Sequence, residues 1–418
     1  MKGPTSPERY TSRVTGGRRF ARDRGWPGRP IGVKLCGVNT TAPTSAPVRL
    51  QSLDVFRGLT MASMVIVNNP GDWGHVYAPL LHAQWHGVTP TDLIFPFFLF
   101  IVGFSVTLSR KSGRWSSILA RALKIIGLGL LLAWYLKFSF ATLRLPGVLQ
   151  RIGLCYLFAA SLYHLCGLRA AAWTPVARDR FTAVVAAVVA AVALLGYWAI
   201  LMLVPGGSGV AGDLTPEGNI GAVIDRALMA GHLYRPMFDP EGLLSTIPAV
   251  GTTLLGVLAG LGFRNMASLP HRAAGLAAAG AVTAAVGWTW GLALPLNKNL
   301  WTSSYAVYTA GLGALLLALC VWLVDVRGWR RAAYPFVVLG TNAITLYVLS
   351  GLIAKTIGYV TLAGPDGTTQ SLQAAIYRTV FVPLASPINA SLLFAVANLA
   401  VLYVVLWAMY RRGIFLKV

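Results

Sequence analysis

The chain has 418 residues, 56% of them hydrophobic and only 11% charged, with a mean hydropathy of +0.64. A soluble domain carries roughly 25% charged residues, so these charges cannot cover a water-facing surface of this size. The formal charge of +22 would suit a nucleic acid, but in so apolar a chain basic residues mark cytoplasmic loops, and no nucleic-acid partner is expected.

Residues 1–48 are rich in Arg, Gly, Pro, Ser and Thr. They lack the apolar core of a secretory signal and read as a disordered basic cytoplasmic tail, with an Arg-rich transit peptide as the alternative. A transmembrane domain is expected over 49–418. Its apolar runs of about 18 to 25 residues suffice for helices to cross ~30 Å of hydrocarbon. The ~10-residue alternating segments of a membrane β-barrel are not seen. The pattern predicts an all-α polytopic membrane protein of about ten transmembrane helices. The spans are Leu53–Asn69, Thr91–Ser109, Trp115–Lys137, Gly147–Leu168, Arg180–Val204, Gly242–Phe263, Ala273–Leu294, Ser303–Val324, Ala332–Tyr359 and Ile388–Tyr410. Ser371–Leu384 is too short and polar to span and reads as an interfacial or re-entrant helix.

Loop charges alternate. Arg110, Lys111, Arg114, Arg169, Arg178, Arg180, Arg264, Arg272, Arg327, Arg330, Arg331, Arg411, Arg412 and Lys417 fall on one side. On the other, Lys137, Arg144, Arg226, Arg235, Lys298, Lys355 and Arg378 are diluted by Asp213, Glu217, Asp225, Asp239 and Glu241. The positive-inside rule then puts both termini in the cytoplasm. No internal repeat is visible, which disfavours inverted-repeat transporters. Cys36, Cys155, Cys166 and Cys320 lack metal-site spacing and imply no disulfide framework.

The densest polar stretch follows the first span: Asn68, Asn69, Asp72 and His75, then Tyr77, His82, Trp85, His86 and Asp92. It holds three of the six histidines and no Lys or Arg, and by the charge pattern it faces outside. A histidine at a cavity mouth can act as general base near neutral pH. Simpler readings compete: Thr89, Pro90 and Asp92 fit a helix start, and Trp73, Tyr77 and Trp85 fit interfacial aromatics. His82 and His86 are spaced to chelate on a helix, but no third ligand stands at zinc-like spacing, so no metal is expected. Asp54 and Arg57 read as a helix-end ion pair. Arg144 and Arg151 bracket Leu-Pro-Gly-Val-Leu-Gln and suggest either snorkelling or a polar cavity wall. A second outside cluster contains Asn297, Lys298, Asn299, Trp301, Ser303, Ser304 and Tyr305, a donor set suited to a sugar or a phosphate-bearing cofactor arm.

Leu53-Asp-Val-Phe-Arg-Gly-Leu-Thr60 and the long run from His82 to Gly103 resemble the heparan-α-glucosaminide N-acetyltransferase family of membrane acyltransferases. So do Pro146–Gly153, Asp239–Ser245 and Asn297–Ser304, with Gly340–Ile344 a weaker match, and the resemblance runs from about residue 49 to the end. It implies transfer of an acetyl group from cytosolic acetyl-CoA to an amino sugar across the membrane. The family's active histidine falls on His82 and an upstream functional asparagine on Asn68. Asp92, Trp85, His86, Arg151, Asn297, Lys298, Asn299, Trp301 and Ser304 are the candidate substrate- and donor-binding residues. The family's large luminal domain and leading helix have no counterpart here, and the Pro70–Leu81 loop is longer and differently composed, which puts the acceptor's identity in doubt. A homodimer is implied by the resemblance, not by composition; a bacterial inner membrane is the expected setting.

His82 could deprotonate the acceptor for direct attack on the thioester, or carry the acetyl group itself. Direct transfer is preferred, because an acyl-imidazole is labile unless water is excluded. Asn68 could orient the imidazole or donate to the oxyanion. Arg110, Lys111, Arg114, Arg121 and Lys124 are candidates for the CoA phosphates, with positive-inside anchoring as the simpler account. Two other functions compete: a transporter of a small polar solute such as a sugar, and a non-catalytic envelope partner whose tail holds anionic lipid.

Overall fold

The computed structural model describes residues 50–109, 114–363 and 369–416. The basic tail, Cys36, Arg110, Lys111 and Lys417 lie outside these described residues. Within them the chain is predominantly helical. The helices are α1 (Gln51–Asn68), α2 (Ile94–Leu108), α3 (Trp115–Trp134), α4 (Val148–Arg169), α5 (Pro175–Leu203), α6 (Ile220–Met229) and α7 (Thr246–Arg264). There follow α8 (Leu269–Trp290), α9 (Ser303–Cys320), α10 (Arg330–Thr341), α11 (Ala343–Tyr359), α12 (Leu372–Ile376) and α13 (Pro387–Arg411). A small antiparallel hairpin pairs Thr361–Ala363 with Thr369–Ser371.

Local chemistry sets several helix starts. Thr174 Oγ1 accepts from Ala177 N at 3.3 Å with Pro175 at the first helical position of α5, and Asn219 Oδ1 accepts from Ala222 N at 2.8 Å at the start of α6. Both satisfy amide groups that a helix start leaves orphaned.

Among the described residues, eight helices are long and apolar enough to cross a bilayer, and α10 with α11 adds a ninth if the bent pair is one span. This is an all-α polytopic membrane protein. In α2, α7 and α9, 61–67% of the spanning window is buried, against 22–28% in α3, α5, α8 and α13. The first three therefore form the interior of the bundle, and the others turn one face outward to lipid. α1 has 18 residues, including Asp54 and Arg57, yet most of it is buried. Its place in the bundle comes from packing more than from apolarity.

Glycines allow the closest crossings. A Cβ on Gly103 of α2 would strike the Thr253 carbonyl of α7, and one on Gly256 would strike the Phe100 carbonyl in return. The α1–α10 crossing repeats this with Gly58 against Phe336 and Gly340 against Asp54. Small residues let membrane helices approach until backbones touch.

One expected span is corrected. Ala332–Tyr359 is not one helix but α10 and α11, bent by 69°. Asn342 sits at the break, its amide donating to Ile414 O and accepting from Leu416 N, both at 3.1 Å. Those bonds hold the C-terminal segment against backbone freed by the bend. Ser371–Leu384 forms a short helical stretch, from α12 through a π turn and a 3₁₀ turn, Val382–Leu384.

Candidate active site

A 3₁₀ turn, Pro90–Leu93, leads into α2 and places Asp92 at its third position. Asp92 Oδ2 accepts from Thr89 N, Thr89 Oγ1 and Ala83 N, each at 3.0 Å. Its Oδ1 lies 2.7 Å from His82 Nδ1. Tyr305 supports the turn by donating its hydroxyl to the Asp92 carbonyl at 2.5 Å. The Asp92 side chain is 1% exposed and that of His82 49%. A carboxylate only accepts, so Nδ1 carries the proton and Nε2 is the ring's acceptor nitrogen. Helix capping and histidine orientation are thus two functions of one carboxylate.

Lys298 arrives from the loop between α8 and α9. Its Nζ lies 3.0 Å from Nδ1 and 3.2 Å from Nε2 of His82, and 3.7 Å from Asp92 Oδ1. With Nδ1 engaged by Asp92, Nε2 is the ring atom able to accept from the ammonium. Burial lowers the Lys298 pKa, against the opposing pull of Asp92 and Glu241. Burial likewise lowers that of His86.

The loop presenting Lys298 is rigid for identifiable reasons. Asn297 N donates to Thr302 Oγ1 at 3.1 Å and Asn297 Oδ1 accepts from Leu300 N at 2.9 Å. Trp301 adopts φ +51°, a left-handed conformation unusual for a bulky residue. Its ring packs on Phe95 (4.9 Å between centroids) and Tyr305 (5.4 Å), the Arg151 guanidinium lies 5.3 Å from it, and its Nε1 donates to Thr252 Oγ1 at 3.1 Å. Ser304 Oγ donates to Leu294 O at 2.7 Å. Asn297 Nδ2 also sits 3.3 Å from His86 Nδ1.

His82, Asn68, Trp85, Lys298 and Asn299 line a cavity of about 670 Å³. It continues along α2 past Phe98, Val102 and Ser105 to Ser109, with Arg57 and Arg121 at that far end. From Thr91 to Ser109 the helix advances about 27 Å at 1.5 Å per residue, close to a hydrocarbon thickness of ~30 Å. Arg57 Nη2 donates to Ser105 Oγ at 2.5 Å and Nη1 lies 3.5 Å from Asp54. The expected helix-end pair is therefore present and also borders the cavity. Arg121 lies over the Tyr156 ring, 4.9 Å from its centroid. Arg114 and Lys124 are exposed and do not line the cavity.

Arg151, Asn297, Trp301 and Ser304 do not reach the cavity wall. They are buried behind it and hold the Lys298 loop. Arg151 Nη2 also donates to Gly242 O (2.9 Å) and Ser245 Oγ (2.5 Å), tying α4 to the start of α7. His86 stands beside this loop rather than on the wall. Of the two bracketing arginines, only Arg144 lines the cavity.

Arg144, one of the two arginines expected to snorkel or to form a polar cavity wall, does stand on the wall near the His82 end, and its acidic partners were not foreseen. Arg144 donates to both Asp239 oxygens, at 3.0 and 2.6 Å, and to Glu241. Its guanidinium lies 4.6 Å from the Tyr234 ring centroid. Burial would raise the Asp239 pKa, but Arg144 holds it below the usual range. Trp85 completes the wall, its ring meeting Phe238 edge-on at 5.3 Å and its Nε1 donating to Leu214 O at 2.8 Å. The Asp239–Ser245 motif was the available signal. Among the described residues no group of three or more His, Cys, Asp or Glu side chains could hold a metal ion.

Residues 49–289 match the family described as heparan-alpha-glucosaminide N-acetyltransferase, catalytic. The chain is 31% identical over 360 residues to human heparan-alpha-glucosaminide N-acetyltransferase, covering 73% of this chain and 53% of that protein. It is also 31% identical over 359 residues to the mouse protein of the same name, with the same coverage. The chain thus spans about half the length of the curated relatives it matches.

Proposed function

We infer, since this chain belongs to the heparan-alpha-glucosaminide N-acetyltransferase family, that it carries an acetyl group from acetyl-CoA to an amino sugar at the His82 end of the cavity. The observation that carries this reading is one cavity lined along α2 from Thr91 to Ser109, with a carboxylate-oriented histidine at one end and two arginines at the other. Arg57 and Arg121 suit the CoA phosphates, and the apolar length between Met64, Phe98 and Val102 suits the pantetheine arm. The positive-inside pattern would turn the arginine end toward the cytosol, where acetyl-CoA is made, with both termini on that side.

At the other end His82 Nε2 takes the proton of the acceptor amine as it attacks the thioester carbon; the C–S bond breaks and the proton passes to the departing CoA thiolate. Asp92 keeps the imidazole in the required tautomer and stabilises the imidazolium. Asn68, on the same cavity wall, can donate to the developing oxyanion; such a donor is worth about 10²–10³ in rate. Trp85, Asn299 and the Arg144–Glu241 wall offer an apolar face and polar groups for a sugar ring.

The test is acetyl-CoA binding by thermal shift on detergent-purified wild type and His82→Ala, followed by transfer to glucosamine. Both proteins should be stabilised increasingly with ligand concentration, and only the wild type should turn over. Turnover retained in His82→Ala would sink the assigned role. The same cavity, lined along α2 from Thr91 to Ser109, favours one second reading, passage of a small polar solute such as a sugar. Sugar uptake into proteoliposomes without an acyl donor would support that reading instead.

A further inference from the structure

An enzyme that activates an amine must place the amine nitrogen within hydrogen-bond reach of its base, about 2.6–3.2 Å. Lys298 Nζ already meets that condition, at 3.2 Å from His82 Nε2. It lies in the same cavity as His82, and its loop is held by buried Asn297, Trp301 and Thr302. We propose that Lys298 is a self-acetylation site: with acetyl-CoA bound and no acceptor present, its amine takes the acetyl group.

The inference rests on acetyl-CoA being the donor. In the step, the Nζ free amine attacks the thioester carbonyl carbon. The new N–C bond forms, the C–S bond breaks, and the proton released by Nζ passes through His82 Nε2 to the leaving thiolate. The products are acetyl-lysine and free CoA thiol, with no further reactant required. Burial lowers the Lys298 pKa, which makes the free amine easier to reach from the ammonium that faces Asp92.

The modification removes the positive charge that now faces His82 and Asp92, and it adds an acetyl group where an acceptor amine would bind. It would therefore switch the site off when donor is plentiful and acceptor scarce. Acceptor amines and Lys298 compete for one position, so the location of Lys298 also marks where an acceptor nitrogen sits.

The experiment incubates full-length detergent-purified protein with isotopically labelled acetyl-CoA and no acceptor, then maps acetyl-lysine by peptide mass spectrometry. Donor binding is measured in parallel by thermal shift. Label is expected on Lys298 well ahead of the exposed Lys124, Lys137 and Lys355. The rate should fall roughly 10²-fold in His82→Ala, the scale of a lost general base. Lys298→Arg, which keeps the cation, should bind donor and take no label at the site. Donor binding without label on Lys298 overturns this inference alone, as does equal labelling of all lysines, label on His82 instead, or a Lys298 rate unchanged in folded His82→Ala. Absence of any donor-induced shift overturns the donor reading together with this one.

Discussion

Asp92 accepts three hydrogen bonds on one oxygen and holds His82 with the other. Replacing it by Asn preserves shape but removes the acceptor-only character that fixes the histidine tautomer. Asp92→Asn should lower kcat by about 10²–10⁴, since His82 is then free to present the wrong nitrogen. Thermal unfolding should show a concurrent loss of about 1 kcal/mol from the weakened cap. An unchanged kcat in a folded variant would reduce Asp92 to a cap. From sequence, the spacing Thr89-Pro90-Thr91-Asp92 signals a helix start, and only the fold reveals that its second oxygen faces His82.

At the level of elements, the segment between α5 and α7 was the least legible. α6 is only ten residues long and sits among glycines and prolines, so it leaves no long apolar run to detect. It carries Asp225, whose Oδ1 accepts from Leu243 N at 2.9 Å. Burial, reinforced by the charge of Asp239, pushes the Asp225 carboxyl up to about 6. A group whose pKa is raised by folding stabilises fully below its unfolded value and loses that contribution as pH rises through the folded one. The contribution of Asp225 is therefore full below about pH 4 and is lost by about pH 6. Asp225→Asn should be more stable than wild type above that window, by up to about 2 kcal/mol after allowing for solvent screening. The advantage should vanish near pH 4. Melting temperatures at the two pH values check this. The α10–α11 bend was equally hidden, because hydropathy is continuous across Asn342 and only the returning chain end shows where backbone groups are freed.

Over the whole molecule, the cavity is made by stripes on several helices, none remarkable alone. α1 contributes Met61, Met64 and Asn68, α2 contributes Phe98, Val102 and Ser105, and α11 contributes Tyr347. If acetyl-CoA threads this space, filling it midway should separate the two ends. Val102→Trp leaves His82, Asp92 and Lys298 untouched, so the protein should fold while losing acetyl-CoA stabilisation and transfer together. Thermal shift with and without donor reads both. Donor binding at wild-type strength would place the donor elsewhere.

The sequence by itself determined most of the long helices, the membrane class, the family and the His82 loop, because apolar runs, caps and motifs are properties of short stretches of chain. Asp92 could be flagged as well, lying only ten residues from His82. Which groups meet across distance was left to the tertiary structure. Lys298 reaches His82 over a separation of 216 residues. Arg151, Trp301 and Ser304 carry the same polar chemistry as the residues on the wall, yet packing buries them behind it. Composition specifies what a side chain can do; close packing of α2 against α7, made possible by Gly103 and Gly256, helps decide which side chains face the cavity.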